Sequence, residues 1–309
     1  MQTTNNILMV RPANFRSNEQ TEMNNYFQSD LDITPKQIND LARQEFDAFV
    51  AELRKAGVRV IVADDQKEPN TPDALFPNNW VSFHKSGMVV LYPMFAPNRR
   101  QERRTDILAQ LETEGFLIEN IMDYTRAEED GLFLEGTGSI VLDRVHKKAY
   151  CALSARADED LFIEFCEDFE CTPIIFTAYQ SVNGERRAIY HTNVMMCIAD
   201  RFAIICADSI DDSKERKNVL DHLTEDGKEI ITITEDQLHS FAGNMLQVQI
   251  NDGKTALVMS SAAYKSLDAD QIARIEAYGP IIHSSLTTIE TCGGGSARCM
   301  MAEVFLPQI

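Results

Sequence analysis

The stretch Thr291-Cys292-Gly293-Gly294-Gly295-Ser296-Ala297-Arg298-Cys299-Met300-Met301 places a thiol shortly after three consecutive glycines near the C-terminus. Glycines remove every Cβ from one face of the backbone, so another group can approach it closely. A reactive cysteine requires a special setting of this kind. The alternative is a glycine-rich turn before a buried strand, in which Cys299 is a small apolar residue, as free cysteines usually are.

Upstream of Cys299 the chain repeats one unit, which consists of two apolar strands around a polar turn, a helix and a single strand. The turns contain asparagine, aspartate and glycine, which are typical of β-hairpins. Equivalent positions of the repeat lie at residues 79, 135, 191, 243 and 299, so consecutive positions are 56, 56, 52 and 56 residues apart. These positions carry Asn79, Glu135, His191, Gly243-Asn244 and Cys299.

A fifth unit is predicted from the two ends of the chain. Residues 299–306 supply one strand, residues 8–10 its hairpin partner, and a helix from Pro35 to Gly57 with the following strand completes the unit. A ring closed in this way leaves no open end to cap. The sequence therefore predicts an α/β fold, a five-bladed pseudo-symmetric α/β propeller, formed by residues 1–309 as a single catalytic domain whose last blade both termini complete.

Local patterns predict the individual elements. Thr34 before Pro35 is typical of a helix start, and the apolar face of that helix includes Leu41. In the next unit the pattern predicts a helix from about Arg99 to Gly115 and a strand at residues 116–118. The polar residues 181–187 are a candidate lid.

Composition limits the classes of partner. The net charge of −19 repels phosphate backbones, so we expect no nucleic acid partner. No run approaches the roughly 18 apolar residues of a membrane span, and no signal peptide precedes the first apolar run. The seven cysteines have neither a paired framework nor zinc-type spacing. We expect a cytoplasmic protein without a metal, a cofactor or a membrane partner, and its oligomeric state, a homo-oligomer included, stays open.

Cysteine, histidine and glutamate at one phase of the repeat are typical of a nucleophile, a proton carrier and an orienting carboxylate. Taken singly, His191 is equally typical of a strand-start histidine and Glu135 of a solvated charge. Their shared phase with Cys299 favours the catalytic interpretation, because the ordinary structural roles do not explain it.

Three motifs resemble the pentein fold of guanidine-modifying enzymes, the group of arginine deiminases, dimethylarginine dimethylaminohydrolases and amidinotransferases. Residues 293–300 are similar to the nucleophile segment of deiminases, Leu134-Glu135-Gly136 to their glutamate segment, and His191-Thr192-Asn193 to their histidine segment. The resemblance covers nearly the whole chain in order. It implies a small-molecule amino-acid substrate and a catalytic trio of Cys299, His191 and Glu135.

Further resemblances concern substrate binding. Residues 72–79, which end in Asn78 and Asn79, resemble the substrate loop of the dimethylaminohydrolases. Asn98-Arg99-Arg100 and Ser154-Ala155-Arg156 resemble their carboxylate-binding segments, so Arg99 and Arg156 are candidates for the substrate α-carboxylate. The alternative for both is an ordinary surface arginine, and Arg100 could then serve in place of Arg99.

Asn79 and Asn193 occupy positions where deiminases place aspartates. A buried guanidinium needs carboxylate partners, whereas an amide suits a neutral ureido group. We therefore expect Asn78, Asn79, Asn193 and Asn244 to contact a citrulline-like substrate, as in the citrulline hydrolases that the chain also resembles. In the implied mechanism Cys299 attacks the ureido carbon, His191 protonates the departing ornithine, and water releases the carbamoyl group from the sulfur, yielding ammonia and carbon dioxide.

Three other functions stay open at this point. A hydrolase or deiminase of arginine or methylarginine would need Glu135 alone to neutralise the guanidinium. An amidinotransferase would use the same trio with an amine as the second acceptor. A non-catalytic pentein would act as a binding protein.

Overall fold

The computed structural model describes residues 1–309. The strands are β1 Asn6–Arg11, β2 Arg59–Asp64, β3 Val81–Phe83, β4 Met88–Leu91, β5 Asn120–Asp123, β6 Ile140–Asp143, β7 Lys148–Leu153, β8 Thr172–Thr177, β9 Tyr179–Val182, β10 Glu185–Ala188, β11 Met196–Ile198, β12 Phe202–Ile205, β13 Glu229–Thr232, β14 Leu246–Gln249, β15 Thr255–Ser260, β16 Ile281–Ser284 and β17 Ala302–Glu303. The helices are α1 Pro35–Lys55, α2 Thr105–Thr113, α3 Gly136–Ser139, α4 Glu159–Asp168, α5 Thr192–Met195, α6 Ser213–Glu225, α7 Glu235–His239, α8 Ser261–Ser266, α9 Ala269–Glu276 and α10 Thr287–Gly293.

Five three-stranded sheets make this a mixed α/β fold. In four of the sheets a hairpin pairs antiparallel and a third strand, which follows a helix, pairs parallel with the middle strand. The predicted order of strands within the unit is therefore confirmed. The sheets are separate, and no closed sheet joins them. Their strand orders are β3-β4-β5, β6-β7-β8, β11-β12-β13, β14-β15-β16 and β17-β1-β2.

The two ends of the chain share one sheet, as the sequence predicts. Strand β17 pairs antiparallel with β1, with Ile7 opposite Glu303 and Leu8 opposite Ala302, and β2 pairs parallel with β1 on its other side. Because Ile7 and Leu8 are fully buried, this register fixes the N-terminal strand between the two others.

Helix α1 begins where its capping residues predict. The Thr34 side chain accepts from the Gln37 backbone, and the Gln37 side chain accepts in return from the Thr34 backbone. Its apolar face packs with residues of β1, β2, β14 and α10. Leu41, expected on that face, is instead 40% exposed.

Two predicted elements around Arg99 differ from the structure. The predicted helix 99–115 is divided into a 3₁₀ turn, Pro97–Glu102, and α2, because the backbone of Arg103 is extended and its guanidinium reaches Glu128. The predicted strand 116–118 is not a strand of the sheet, and β5 begins at Asn120. Most of β5 is exposed, so it carries no apolar run from which its position could be predicted.

Short helical segments precede the first strand of several sheets and hold the repeated positions. Glu135 caps α3 and His191 caps α5, while Asn79 ends the 3₁₀ turn before β3. The repeat thus sets these side chains at the same end of their sheets. None of the ten helices combines the length and apolar character needed to cross a membrane.

Candidate active site

His191 and Glu135 form a buried hydrogen-bonded pair. His191 Nε2 lies 2.8 Å from Glu135 Oε2, and both residues are at most 1% exposed. Gly138 makes the arrangement possible, because a Cβ at this residue would lie 2.4 Å from the Asn79 amide and 2.8 Å from the His191 ring. The repeat therefore brings three of its equivalent positions together.

Burial and the nearby charges determine the protonation states of Glu135 and His191. Burial opposes ionisation of Glu135, but the guanidinium of Arg156, the His191 hydrogen bond and Arg99 together hold its pKa well below the usual range. Burial, aided by the same two arginines, lowers the pKa of His191 to about 4 despite Glu135. At neutral pH the carboxylate accepts from Nε2–H, which leaves Nδ1 of a neutral imidazole as the proton acceptor.

Cys299 lies in the turn before β17, with its sulfur among neutral amides. The Asn244 Nδ2 is 3.2 Å from Sγ and the Asn193 Nδ2 is 3.6 Å from it. Asn244 is itself fixed, since it donates to the Asn193 carbonyl at 2.9 Å and accepts from the Arg298 backbone at 3.0 Å. Asn244 thus orients an N–H group toward the sulfur, while Asn193 also presents its Oδ1, at 3.8 Å from Sγ.

Arg99 lies in a buried network of carboxylates. Its guanidinium binds Glu102 through two hydrogen bonds of 2.9 and 3.0 Å and donates to Asn79 Oδ1 at 3.0 Å. It also lies 3.7 Å from Asp73 and 3.6 Å from Glu135. Its neighbour Arg100 points to the Met94 carbonyl and Glu128.

Arg156 is the second buried guanidinium of the site. It lies 3.5 Å from Glu135 and above the ring of Tyr190, at 4.7 Å from the ring centroid. Its donors go to the Asn24 side chain and the Thr21 carbonyl. A substrate carboxylate would have to replace these N-terminal contacts to bind it.

Sequence reasoning missed the residues that close the site. The segment between β1 and α1, residues 12–34, makes three of these contacts. Asn24 accepts a hydrogen bond from Arg156, Asn25 donates to the Gly293 carbonyl, and Asn18 donates to Asp73. The candidate lid 181–187 instead belongs to the hairpin β9–β10, which Arg186 ties to Asp211 and Glu235. No periodic pattern marks residues 12–34, so their position could not be predicted from the sequence.

Asp73 and Glu102 were also missed, although both carry a signal. Asp73 lies in the loop 72–79, which resembles a substrate loop, and Glu102 follows Arg99 by three residues. Burial raises the pKa of Asp73, and its Oδ1 has no hydrogen-bond partner.

The nine candidate residues fall into four groups. Five of them, Asn79, Arg99, Arg156, His191 and Cys299, line one small cavity of about 10 Å³. Glu135 stands behind His191, and Asn193 and Asn244 contact the sulfur. Asn78 does not line the cavity; its Oδ1 accepts from Asn79, while its own Nδ2 is buried without a partner.

A cluster that could ligate a metal lies elsewhere, at the turn after β6. It consists of Asp143, His146 and Asp226. Lys228 already lies 3.0 Å from Asp143 and Lys148 2.8 Å from Asp226, so these carboxylates have cationic partners.

Comparison with known proteins gives one family and several similar structures. Residues 11–306 match the sequence model of the family described as N,N dimethylarginine dimethylhydrolase, eukaryotic. No curated protein matches the chain.

Solved structures of similar fold include ArgZ, an arginine dihydrolase from the ornithine-ammonia cycle in cyanobacteria. Its apo structure is 16% identical with a TM-score of 0.74, and the match covers 98% of this chain and 41% of ArgZ. The N-terminal domain of ArgZ bound to substrate is 17% identical with a TM-score of 0.70, covering 97% and 99% of the two chains. A dimethylarginine dimethylaminohydrolase adduct with S-methyl-L-thiocitrulline is 15% identical with a TM-score of 0.65, covering 98% and 100%. The chain thus spans less than half the length of full ArgZ.

Proposed function

We propose that the chain, which belongs to the dimethylarginine dimethylhydrolase family of the pentein superfamily, hydrolyses citrulline to ornithine, ammonia and carbon dioxide. In this proposal Cys299 is the nucleophile and His191 the proton carrier, oriented by Glu135.

The observation that carries the proposal is the neutral surrounding of the sulfur. Asn193 and Asn244 are the side chains whose polar atoms contact Sγ. Glu135 already faces both buried guanidinium groups and the imidazole. A substrate guanidinium would find amides where it needs a charged partner, whereas a ureido group finds matching donors and acceptors.

In the proposed reaction His191 carries each proton in turn. Nδ1 of neutral His191 takes the thiol proton as Sγ bonds to the ureido carbon, and gives it to the amine as the carbon–nitrogen bond to ornithine breaks. Nδ1 then takes a proton from water, which attacks the carbamoyl thioester, and returns it to the departing sulfur. The carbamate released decomposes to ammonia and carbon dioxide.

Arginine hydrolysis is the second candidate, and the buried carboxylates favour it. Asp73 keeps one oxygen without a partner, and the site holds three carboxylates against two guanidinium groups. Because burial raises the pKa of Asp73 and raises that of Glu102 to about 8, a cationic substrate would stabilise the charged forms of these carboxylates. Arginine is what the name of ArgZ gives as its substrate, and a two-step reaction on arginine would pass through the same ureido chemistry.

The arrangement of the five sheets is a second proposal. We propose that residues 1–309 form a single domain in which the five sheets surround a pseudo-fivefold axis. Contacts among the repeated positions support this: Glu135 binds His191, Asn79 lies beside the His191 ring, and Asn244 contacts Cys299.

Product analysis separates the candidates. Purified protein is incubated with citrulline or with arginine, and ornithine, citrulline and ammonia are measured, with Cys299→Ala as the inactive variant and Cys292→Ala as the matched cysteine control. Ornithine and ammonia from citrulline alone support the proposal. Ornithine from both substrates supports the dihydrolase, and citrulline from arginine a deiminase; both overturn the substrate assignment. Product formation unchanged in Cys299→Ala overturns the nucleophile.

A further inference from the structure

A larger cavity lies at the other end of the strands from the candidate active site. Its volume is about 630 Å³, within the range of small-molecule sites. The turn between β3 and β4 and the turn between β6 and β7 form two of its walls, and Phe165, Phe169 and the C-terminal residues 304–306 form the others. Because Asn79 and Glu135 precede β3 and β6, three- or four-residue strands place the two sites roughly 10–13 Å apart.

An uncommitted guanidinium lines this cavity. The Arg144 side chain lies over the ring of Phe305, 4.2 Å from its centroid, and makes no hydrogen bond or ion pair. The nearby carboxylate of Glu303 is held by Arg298 at 2.9 Å, and that of Asp143 by Lys228 at 3.0 Å. A cation that lacks a partner in a chain of net charge −19 leaves an anion-binding position open.

The other walls are aromatic. The rings of Phe165 and Phe169 stack with centroids 4.6 Å apart, and His84 lies 4.3 Å from Phe169. His84 Nε2 forms a hydrogen bond of 2.8 Å with the Ser82 hydroxyl, and burial holds the pKa of His84 well below its ordinary value. The neutral imidazole therefore extends the aromatic surface, while Lys85 adds a second unpaired cation beside it.

We propose that this cavity binds an organic anion, with a carboxylate or phosphate on Arg144 and an apolar body against Phe165 and Phe169. A planar guanidinium binds either head group through two parallel hydrogen bonds. The aromatic walls contribute by burying the apolar body. A ligand of this chemistry is distinct from an amino-acid substrate with a polar side chain, so the site stands whether or not the proposed citrulline activity does.

The test uses the fluorescent anion 1-anilinonaphthalene-8-sulfonate and the full chain. Arg144→Gln is expected to weaken its binding about tenfold or more, since a hydrogen bond to a charged group is lost. The matched control is Arg201→Gln, because Arg201 also lies over an aromatic ring, that of Tyr278, but outside the cavity. Phe169→Ala is expected to weaken binding as well, and a thermal melt of each variant verifies that it is folded.

Competitors identify the ligand class. Displacement by octanoate favours an alkyl carboxylate, and displacement by adenosine monophosphate favours an aromatic phosphate; either supports the proposal. Failure of both at millimolar concentration overturns it. Equal binding by folded Arg144→Gln and wild type overturns it, and so does displacement of the dye by citrulline, which would place the dye in the substrate cavity.

Discussion

The sulfur of Cys299 faces carboxamides where a charged partner would select a charged substrate. Asn193 is the residue through which this choice can be altered, since its side chain reaches within 3.6 Å of the sulfur. In the proposed reaction its amide would place no charge beside the attacking sulfur. The proposed selectivity for a neutral substrate is therefore expected to depend on this side chain.

Asn193→Asp is expected to lower kcat/KM for citrulline and to raise the arginine-to-citrulline ratio of kcat/KM about tenfold, because a charge-assisted hydrogen bond contributes about 1.5–3 kcal/mol. Steady-state kinetics with both substrates measure the ratio. Asn251→Asp, in an exposed turn, is the matched control. An unchanged ratio would contradict the role of neutral amides.

His191 is expected to titrate near pH 4 in the folded protein, against about 6.5 for an unperturbed imidazole, because burial disfavours its charged form. The unfolded chain binds the proton first, so the stability this group contributes is complete above about pH 6.5 and is lost as pH falls toward 4. NMR titration of the imidazole, assigned with His191→Gln, measures the midpoint. A midpoint at 6 or above would contradict the buried pair.

Gly138→Ala is expected to lower kcat/KM about a hundredfold, because the new methyl group would displace the Asn79 amide and the His191 ring from their positions. Gly131→Ala is the comparison: no atom lies within 4 Å of its Cβ position, and only its positive φ of 73° opposes the change. Kinetics and thermal melting separate the two. Gly131→Ala should lose stability and retain activity; full activity in Gly138→Ala would be inconsistent with the close approach.

At the scale of the elements, local capping determines where the longest helix begins. Thr34→Ala removes the acceptor for the Gln37 backbone and is expected to destabilise the protein by about 1 kcal/mol. A melting temperature lower by roughly 2 °C follows for a chain of this size. Thr113→Ala, at the end of α2, is the matched control, and an equal loss in both variants would mean that the cap contributes nothing specific.

At the same scale, the contacts of the segment between β1 and α1 could not be predicted from the sequence. Residues 12–34 contain no repeat of apolar residues, yet Asn18, Asn24 and Asn25 bind groups of three different parts of the chain. The division of helix 99–115 has a similar origin, because the long-range contact of Arg103 with Glu128 outweighs helix propensity.

At the scale of the whole molecule, the shared terminal sheet permits a circular permutation. A permutant in which a flexible linker joins residue 309 to residue 1, with new ends at the exposed Asp252–Gly253 turn, is expected to retain activity within about threefold, since β17, β1 and β2 stay paired. New ends between Gly294 and Gly295 serve as the comparison and should abolish activity. Loss of folding in the first permutant would contradict the single-domain proposal.

The sequence by itself determined the repeated unit, its strand order, the pairing of the two ends and the membership of the pentein superfamily, which the family match confirms. The repeat and its strand order rest on periodicity and turn residues, which are local properties of the chain, whereas the superfamily rests on the resemblance of three motifs to those of deiminases. The catalytic trio was named from its phase in the repeat, and its role stays a prediction, as does the citrulline substrate. Only the tertiary structure decided which charges meet. Arg99 contacts Asp73, Glu102 and Glu135, and Arg156 contacts Asn24, because packing brings together residues that are up to 132 positions apart.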